Sequence, residues 1–174
     1  MTRYTRKKSL RLQNYNYAQN GLYFITICTK SSQHLFGTIS NGEMELNRAG
    51  KMVQRIWSEI PQFYEGFVLH DFVVMPNHFH GVIEIVSTHE QRTTTGGLSL
   101  HKQLSISDIV HRFKTLTTRK YIDGVYTDSW EGFHKQLWQR SYHEHVIRDE
   151  KSYMQIVEYV QNNPLKWVDD CYFG

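Results

Sequence analysis

Cysteine is nearly missing from this 174-residue chain, which has only Cys28 and Cys171. Two are too few for a disulfide framework or a cysteine-ligated zinc site. Also missing is any apolar run of the roughly 18 to 20 residues that a membrane span needs. The basic N-terminus leads into "NYNYAQNG" with no apolar segment behind it, so no secretion signal is expected and the cytoplasm is the expected address. The first 42 residues contain no acid at all; Glu43 is the first. They do contain Arg3, Arg6, Lys7, Lys8 and Arg11, and beyond residue 20 the 15 basic and 17 acidic side chains nearly cancel. A basic arm over residues 1–20 on a near-neutral domain over 21–174 suits an anionic polymer as partner, though a merely solvated terminus has the same composition. Tyr4, Tyr15 and Tyr17 add faces on which unpaired bases could stack. With 40% hydrophobic and 14% aromatic residues, the chain has the material for a packed domain rather than a disordered segment.

What is present is clear punctuation. "GLYFITICTK" (21–30) is β-branched and aromatic and reads as a first strand. Asn41-Gly42 lies between two short extended runs, the signature of a tight hairpin. From Arg48 to Phe63, the apolar residues Met52, Val53, Ile56, Trp57 and Ile60 recur at helical spacing. "GFVLHDFVVM" and "FHGVIEIV" read as two strands joined at Pro76-Asn77. Residues 87–103 are polar, contain Gly-Gly and read as a loop. Ser105 with Asp108 resembles a capping box opening a helix to about Tyr121, with Ile106, Ile109, Val110, Phe113 and Leu116 as its apolar stripe. An irregular connector leads to "LWQRSYHEHVIR", read as a strand. "DEKSYMQIVEYVQNN" begins with acids and ends where Pro164 forbids continuation, and so reads as a last helix. The order predicts an α+β fold: a ferredoxin-like antiparallel βαββαβ sheet with an additional C-terminal helix.

Two features bear chemistry. In "VVMPNHFHGVIEIV", His78 and His80 alternate along a strand, so both imidazoles project from one face about 6 to 7 Å apart along the backbone. Such a pair is either a partial metal site or two satisfied core side chains. A second His-x-His, His143 and His145, shows how weak the motif is alone. In the last helix Tyr159 and Asn163 are four apart and share a face. Tyr159 offers a nucleophilic phenol or a packing ring, and Asn163 a ligand carbonyl or a cap.

Taken together, "RKKSLRLQNYNYAQNGLYFITICT", "HLFG", "VVMPNHFHGVI", "LWQRSYHEHVIRDE" and "IVEYVQNNPLKW" resemble the REP-associated tyrosine transposases, bacterial relatives of the single-strand transposases of small insertion sequences. The resemblance spans nearly the whole chain in the family's order. It implies an HUH endonuclease in which His78, His80 and Asn163 hold Mg²⁺ or Mn²⁺ and Tyr159 attacks DNA. The product would be a 5′-phosphotyrosine and a free 3′-hydroxyl, resolved later by another 3′-hydroxyl without ATP. An ordinary phenol, with a pKa of about 10, needs such an ion to attack phosphorus at neutral pH. In the second histidine pair only His145 fits the family pattern, so both are read as structural or DNA-proximal.

The implied partner is single-stranded or hairpin DNA of the REP-like palindrome type, met by a cytoplasmic, nucleoid-associated protein, with a homodimer among the family's assemblies. Arg3, Arg6, Lys7, Lys8 and Arg11, with Arg112, Lys114 and Arg119, are the expected phosphate contacts. Trp138, Gln139 and Arg140 join them as expected DNA contacts, although Trp138 reads equally as core. Two other functions compete: a module that binds structured DNA or RNA without cutting it, and a metal-dependent nucleic-acid hydrolase in which Tyr159 is structural.

Overall fold

The computed structural model describes residues 20–86 and 104–169; the basic arm and the loop at 87–103 fall outside them. Six strands and three main helices follow one another: β1 (Gly21–Cys28), the β2–β3 hairpin (Gly37–Ser40 and Glu43–Leu46), α1 (Arg48–Glu59), β4 (Phe67–Val74), β5 (His78–Ile85), α2 (Ile106–Thr127), β6 (His143–Ile147) and α3 (Glu150–Asn162). Four strands form an antiparallel sheet in the order β4-β5-β1-β6. β5 is thus inserted between β1 and β4, the two strands that α1 connects. This is the split βαβ order of the ferredoxin-like fold, with α3 as the extra helix.

Local chemistry accounts for most element ends. Asn41 and Gly42 both have positive φ, 53° and 79°, as the central residues of a two-residue hairpin require. The Asn47 side chain caps α1 by accepting from Gly50 N at 2.8 Å. At α2 the capping box is complete: Asp108 N donates to Ser105 Oγ, and Ser105 N donates back to Asp108 Oδ2 at 3.0 Å. Asp149 accepts from Ser152 N at the start of α3, and this bond holds its carboxyl below the ordinary carboxylate range.

Two elements differ from expectation. α2 continues six residues past Tyr121 because Tyr121 is itself buried and Gly124 packs flat against Trp130; the chain then turns where Asp128 and Trp130 donate to the Gly124 carbonyl. The strand expected over 137–148 is confined to His143–Ile147. Leu137 and Trp138 instead turn into the core, leaving one bridge between Trp138 and Thr29.

One face of the sheet presents Tyr23, Ile25 and Ile27 of β1 and Phe79, Ile83 and Ile85 of β5, all buried. These meet α1 and α2 through Val53, Trp57, Ile109 and Phe113. Trp57 is the centre of this layer, with ring centroids 4.6 Å from Phe79 and 5.1 Å from Phe113. Gly81 makes the approach possible, since a Cβ there would press on both the Phe79 and Trp57 rings. α3 lies on the other face, nearest β4. Among the described residues no helix is long and apolar enough to cross a membrane.

Gly50 offers a check on this packing. Exchanging a helical glycine for alanine ordinarily gains up to about 1 kcal/mol. Here the new methyl would overlap the Phe36 carbonyl oxygen and the Leu46 side chain. Gly50→Ala is therefore expected to lower stability by about 1–3 kcal/mol in urea unfolding, the reverse of the usual sign.

Candidate active site

The antiparallel register places Cys28 opposite His78, Thr26 opposite His80 and Phe24 opposite Val82. All six therefore project to the α3 face, away from the Trp57 layer. His78 and His80 are 0% and 1% exposed, with ring centroids 4.5 Å apart. Burying imidazoles is tolerable only if their nitrogens are bonded. Nδ1 of His78 lies 2.8 Å from Asn77 Oδ1, which can only accept, so His78 carries its proton on Nδ1 and keeps the lone pair on Nε2. Nδ1 of His80 lies 2.8 Å from Thr26 Oγ1, and the Ile25 carbonyl also accepts from this ring. Phe24 stacks on His80 at 5.2 Å. Burial, with His78 beside it, holds the His80 pKa well below its ordinary 6.5, so the ring is neutral at neutral pH.

Tyr159 reaches this pair from α3. Its hydroxyl is 3.3 Å from His80 Nε2, and its half-buried ring meets Phe24 edge-on at 6.0 Å. Four residues beyond Asn163, Trp167 packs 5.9 Å from the His78 ring. The contacts of Tyr159 and Trp167 thus bracket Asn163, which is fully buried at the end of α3. His78, His80 and Tyr159, far apart in sequence, are brought to one place, and Asn163 lies on the stretch of chain between the Tyr159 and Trp167 contacts.

Two imidazole nitrogens and one amide oxygen are donors that a divalent ion can use. Nδ1 of each imidazole is engaged by Asn77 or Thr26, so a metal would be met through Nε2, which in His80 also faces the Tyr159 hydroxyl at 3.3 Å; Asn163 carries an amide oxygen. Among the described residues there is no group of three His, Cys, Asp or Glu side chains of the kind a structural zinc would select.

The expected DNA contacts divide. Trp138 is a core residue: 4% exposed, 5.0 Å from Phe36, its indole N–H donated to Thr117 Oγ1 at 2.9 Å. Its ring is therefore not a surface on which DNA can rest. Lys114 is largely committed as well, donating to the carbonyls of Gln139 and Ser141 at 2.9 and 3.0 Å, and burial lowers its pKa to about 8. Arg112 stands 4.1 Å above the Tyr64 ring. Gln139 is half-buried, whereas Arg119 and Arg140 are exposed. Arg112, Lys114 and Arg140 line a cleft of about 560 Å³ together with His111 and Tyr142. Arg3, Arg6, Lys7, Lys8 and Arg11 lie outside the described residues. His143 and His145 are exposed on β6, opposite Thr26 and Phe24.

Sequence reasoning missed Thr26, Phe24, Asn77 and Trp167. Asn77 had a usable signal, being next to His78 in a turn. Thr26 and Phe24 had none, because their proximity to His80 arises from strand register across 54 residues and more.

Residues 97–163 match the family described as "Transposase IS200 like", a span that includes Tyr159 and Asn163 but ends short of the histidine pair on the N-terminal side. An uncharacterized protein of Haemophilus influenzae is 43% identical over 171 residues, covering 94% of this chain and 91% of its own. The solved structure of a REP-associated tyrosine transposase bound to a REP hairpin shares the fold, with a TM-score of 0.56 at 20% identity, over 95% of this chain and 74% of that one.

The buried, neutral state of His80 has a measurable consequence. Below about pH 6.5 the unfolded chain binds a proton on this ring that the folded chain refuses, so stability must fall as pH is lowered through that window. His80→Gln removes this contribution. In EDTA, its Tm is expected to fall less steeply between pH 7.5 and 5 than that of the parent protein; parallel curves would show that His80 titrates normally.

Proposed function

We propose that this chain, which over residues 97–163 is similar to the family described as IS200-like transposases, cleaves and rejoins single-stranded or hairpin DNA through a 5′-phosphotyrosine formed on Tyr159. One observation carries this reading. The Tyr159 hydroxyl is held 3.3 Å from Nε2 of a buried, neutral imidazole that is itself paired with a second imidazole. A phenol serving only as packing has no need of two desolvated histidines beside it.

His78 and His80, through Nε2, and Asn163, through Oδ1, would hold Mg²⁺ or Mn²⁺. When bound, the ion supplies charge neutralisation at the phosphate and leaves open positions for its oxygens. The chain's own residues do the rest. Thr26 and Asn77 fix the tilt of each imidazole. Phe24 walls the phenol on one side, excluding water and limiting its swing. The Tyr159 oxygen forms a bond to phosphorus, the bond from phosphorus to the 3′-oxygen breaks, and that oxygen takes up a proton as a 3′-hydroxyl. The phenolic proton passes to solvent. Because one diester has replaced another, a second 3′-hydroxyl can reverse the step without external energy.

Hairpin DNA is the proposed partner because the similar fold was solved on a REP hairpin. Arg112, Arg119 and Arg140 are the proposed phosphate contacts of the described residues, with Gln139 beside them and Lys114 adding charge from behind. Residues 1–20 are proposed to be a basic arm reaching the same strand from a domain formed by residues 21–174.

Two variants test the reading. Tyr159→Phe keeps the ring and should abolish both strand cleavage and the denaturation-resistant protein–DNA adduct, while Mn²⁺ and hairpin affinities persist. Cleavage that continues without an adduct would mean hydrolysis by activated water instead. His78→Ala removes a ligand, so Mn²⁺ affinity measured by calorimetry should fall by about a hundredfold or more. Unchanged Mn²⁺ affinity would remove His78 from the site.

A further inference from the structure

Helix α3 presents Tyr159, yet Val160 is the one residue of its thirteen that is buried. Apolar burial on that scale holds a helix weakly, and polar contacts to the sheet take on a larger share. Side-chain bonds cross this interface at three places that bear on the argument. Tyr153 Oη lies 3.4 Å from His70 Nδ1, Tyr159 Oη lies 3.3 Å from His80 Nε2, and Gln161 Nε2 donates to Asp71 Oδ1 at 3.0 Å.

Two of the three land on His70 and Asp71, which are adjacent in β4. Neighbours in a regular strand point to opposite faces. β4 breaks that alternation at this place. Leu69 is paired with Ile83 and Phe72 with Gly81, so three steps along β4 match two along β5, and both His70 and Asp71 stand opposite Val82. That is a β-bulge, a device that redirects side chains. His70 is further braced by Glu84, whose Oε2 lies 2.9 Å from its Nε2. Its ring meets Tyr153 edge-on at 5.9 Å.

We propose that the β4 bulge is a docking clamp for the helix that carries the nucleophile. By turning two successive side chains to one face, it grips Tyr153 and Gln161, which flank Tyr159 in the helix, and thereby sets the depth and rotation at which the phenol meets His80. The clamp rests on the reading of Tyr159 as the nucleophile. His70, Asp71, Tyr153 and Gln161 are positioning residues, since they reach the reacting atoms only through α3. Glu84 serves to orient His70.

The test uses the full chain, Mn²⁺ and a labelled DNA hairpin with unpaired flanks. In the double variant Tyr153→Phe with Gln161→Ala, changed only on the helix side, adduct formation at saturating DNA should slow by roughly tenfold. Hairpin and Mn²⁺ affinities should stay within about twofold, and amide exchange should quicken in α3 but not in β1 or β5. Asp71→Ala should act in the same direction, while Asp71→Asn, which keeps an acceptor for Gln161, should retain the rate. An unchanged rate overturns the clamp, as does a loss shared by metal and DNA affinity, or Asp71→Asn behaving like Asp71→Ala. Adduct formation by a Tyr159→Phe protein would sink the nucleophile reading separately, and exchange in α3 would still decide whether the bulge docks the helix.

Discussion

The pairing of β1 with β5 is the constraint from which the site follows. It sets Thr26 opposite His80 and lets the threonine hydroxyl meet Nδ1 at 2.8 Å with both residues buried. A one-residue slip would exchange the faces of the strand, sending both histidines into the Trp57 layer and Phe79 toward α3. The apolar contacts on one face therefore maintain the polar arrangement on the other. Phe79 and Ile83 are held by Trp57 and Phe113, and the residues between them have no choice but to face α3. Stability and chemistry share one register here.

The two faces of this sheet are held by different forces. On the side of α1 and α2, large apolar rings interlock, and a Trp57 truncation in such a layer typically costs about 3–5 kcal/mol. On the side of α3, the contacts are phenol to imidazole, amide to carboxylate and ring edge to ring face, most of them only half-buried. Such contacts are individually worth little but are strongly directional. That combination suits a helix whose task is to hold one oxygen at a defined point, because direction matters there more than strength.

α2 joins the core to the surface proposed to meet DNA. Its buried stripe of Ile109, Val110, Phe113 and Tyr121 locks it to the core, while Arg112 and Lys114 emerge at the cleft beside residues 139–142. Lys114 ties the carbonyls of Gln139 and Ser141 to the helix, and Trp138 anchors the same segment from beneath through Thr117. Arg140 is thus presented from a segment fastened on both sides, and the motif "WQR" divides its labour between anchoring and exposure.

Much of this was legible in the residues themselves wherever the cause is local. The Asn41-Gly42 turn, the Ser105 box and the stop at Pro164 depend on neighbours within a few positions, and periodicity two is enough to put His78 and His80 on one face. Helical spacing likewise joins Tyr159 to Asn163. Long-range matters were decided only on folding. No local rule brings Thr26 to His80 or Trp167 to His78, or gives β4 its extra residue, because strand register is chosen by the whole apolar face at once. Trp138 shows the same limit. An aromatic residue within a basic motif suits stacking on a base as well as it suits burial, and only the space between Phe36, Phe113 and Thr117 made it core. Sequence set which side chains could perform chemistry; the packing of sheet, bulge and helix determined which of them meet, since contact between distant residues is a property of the assembled chain.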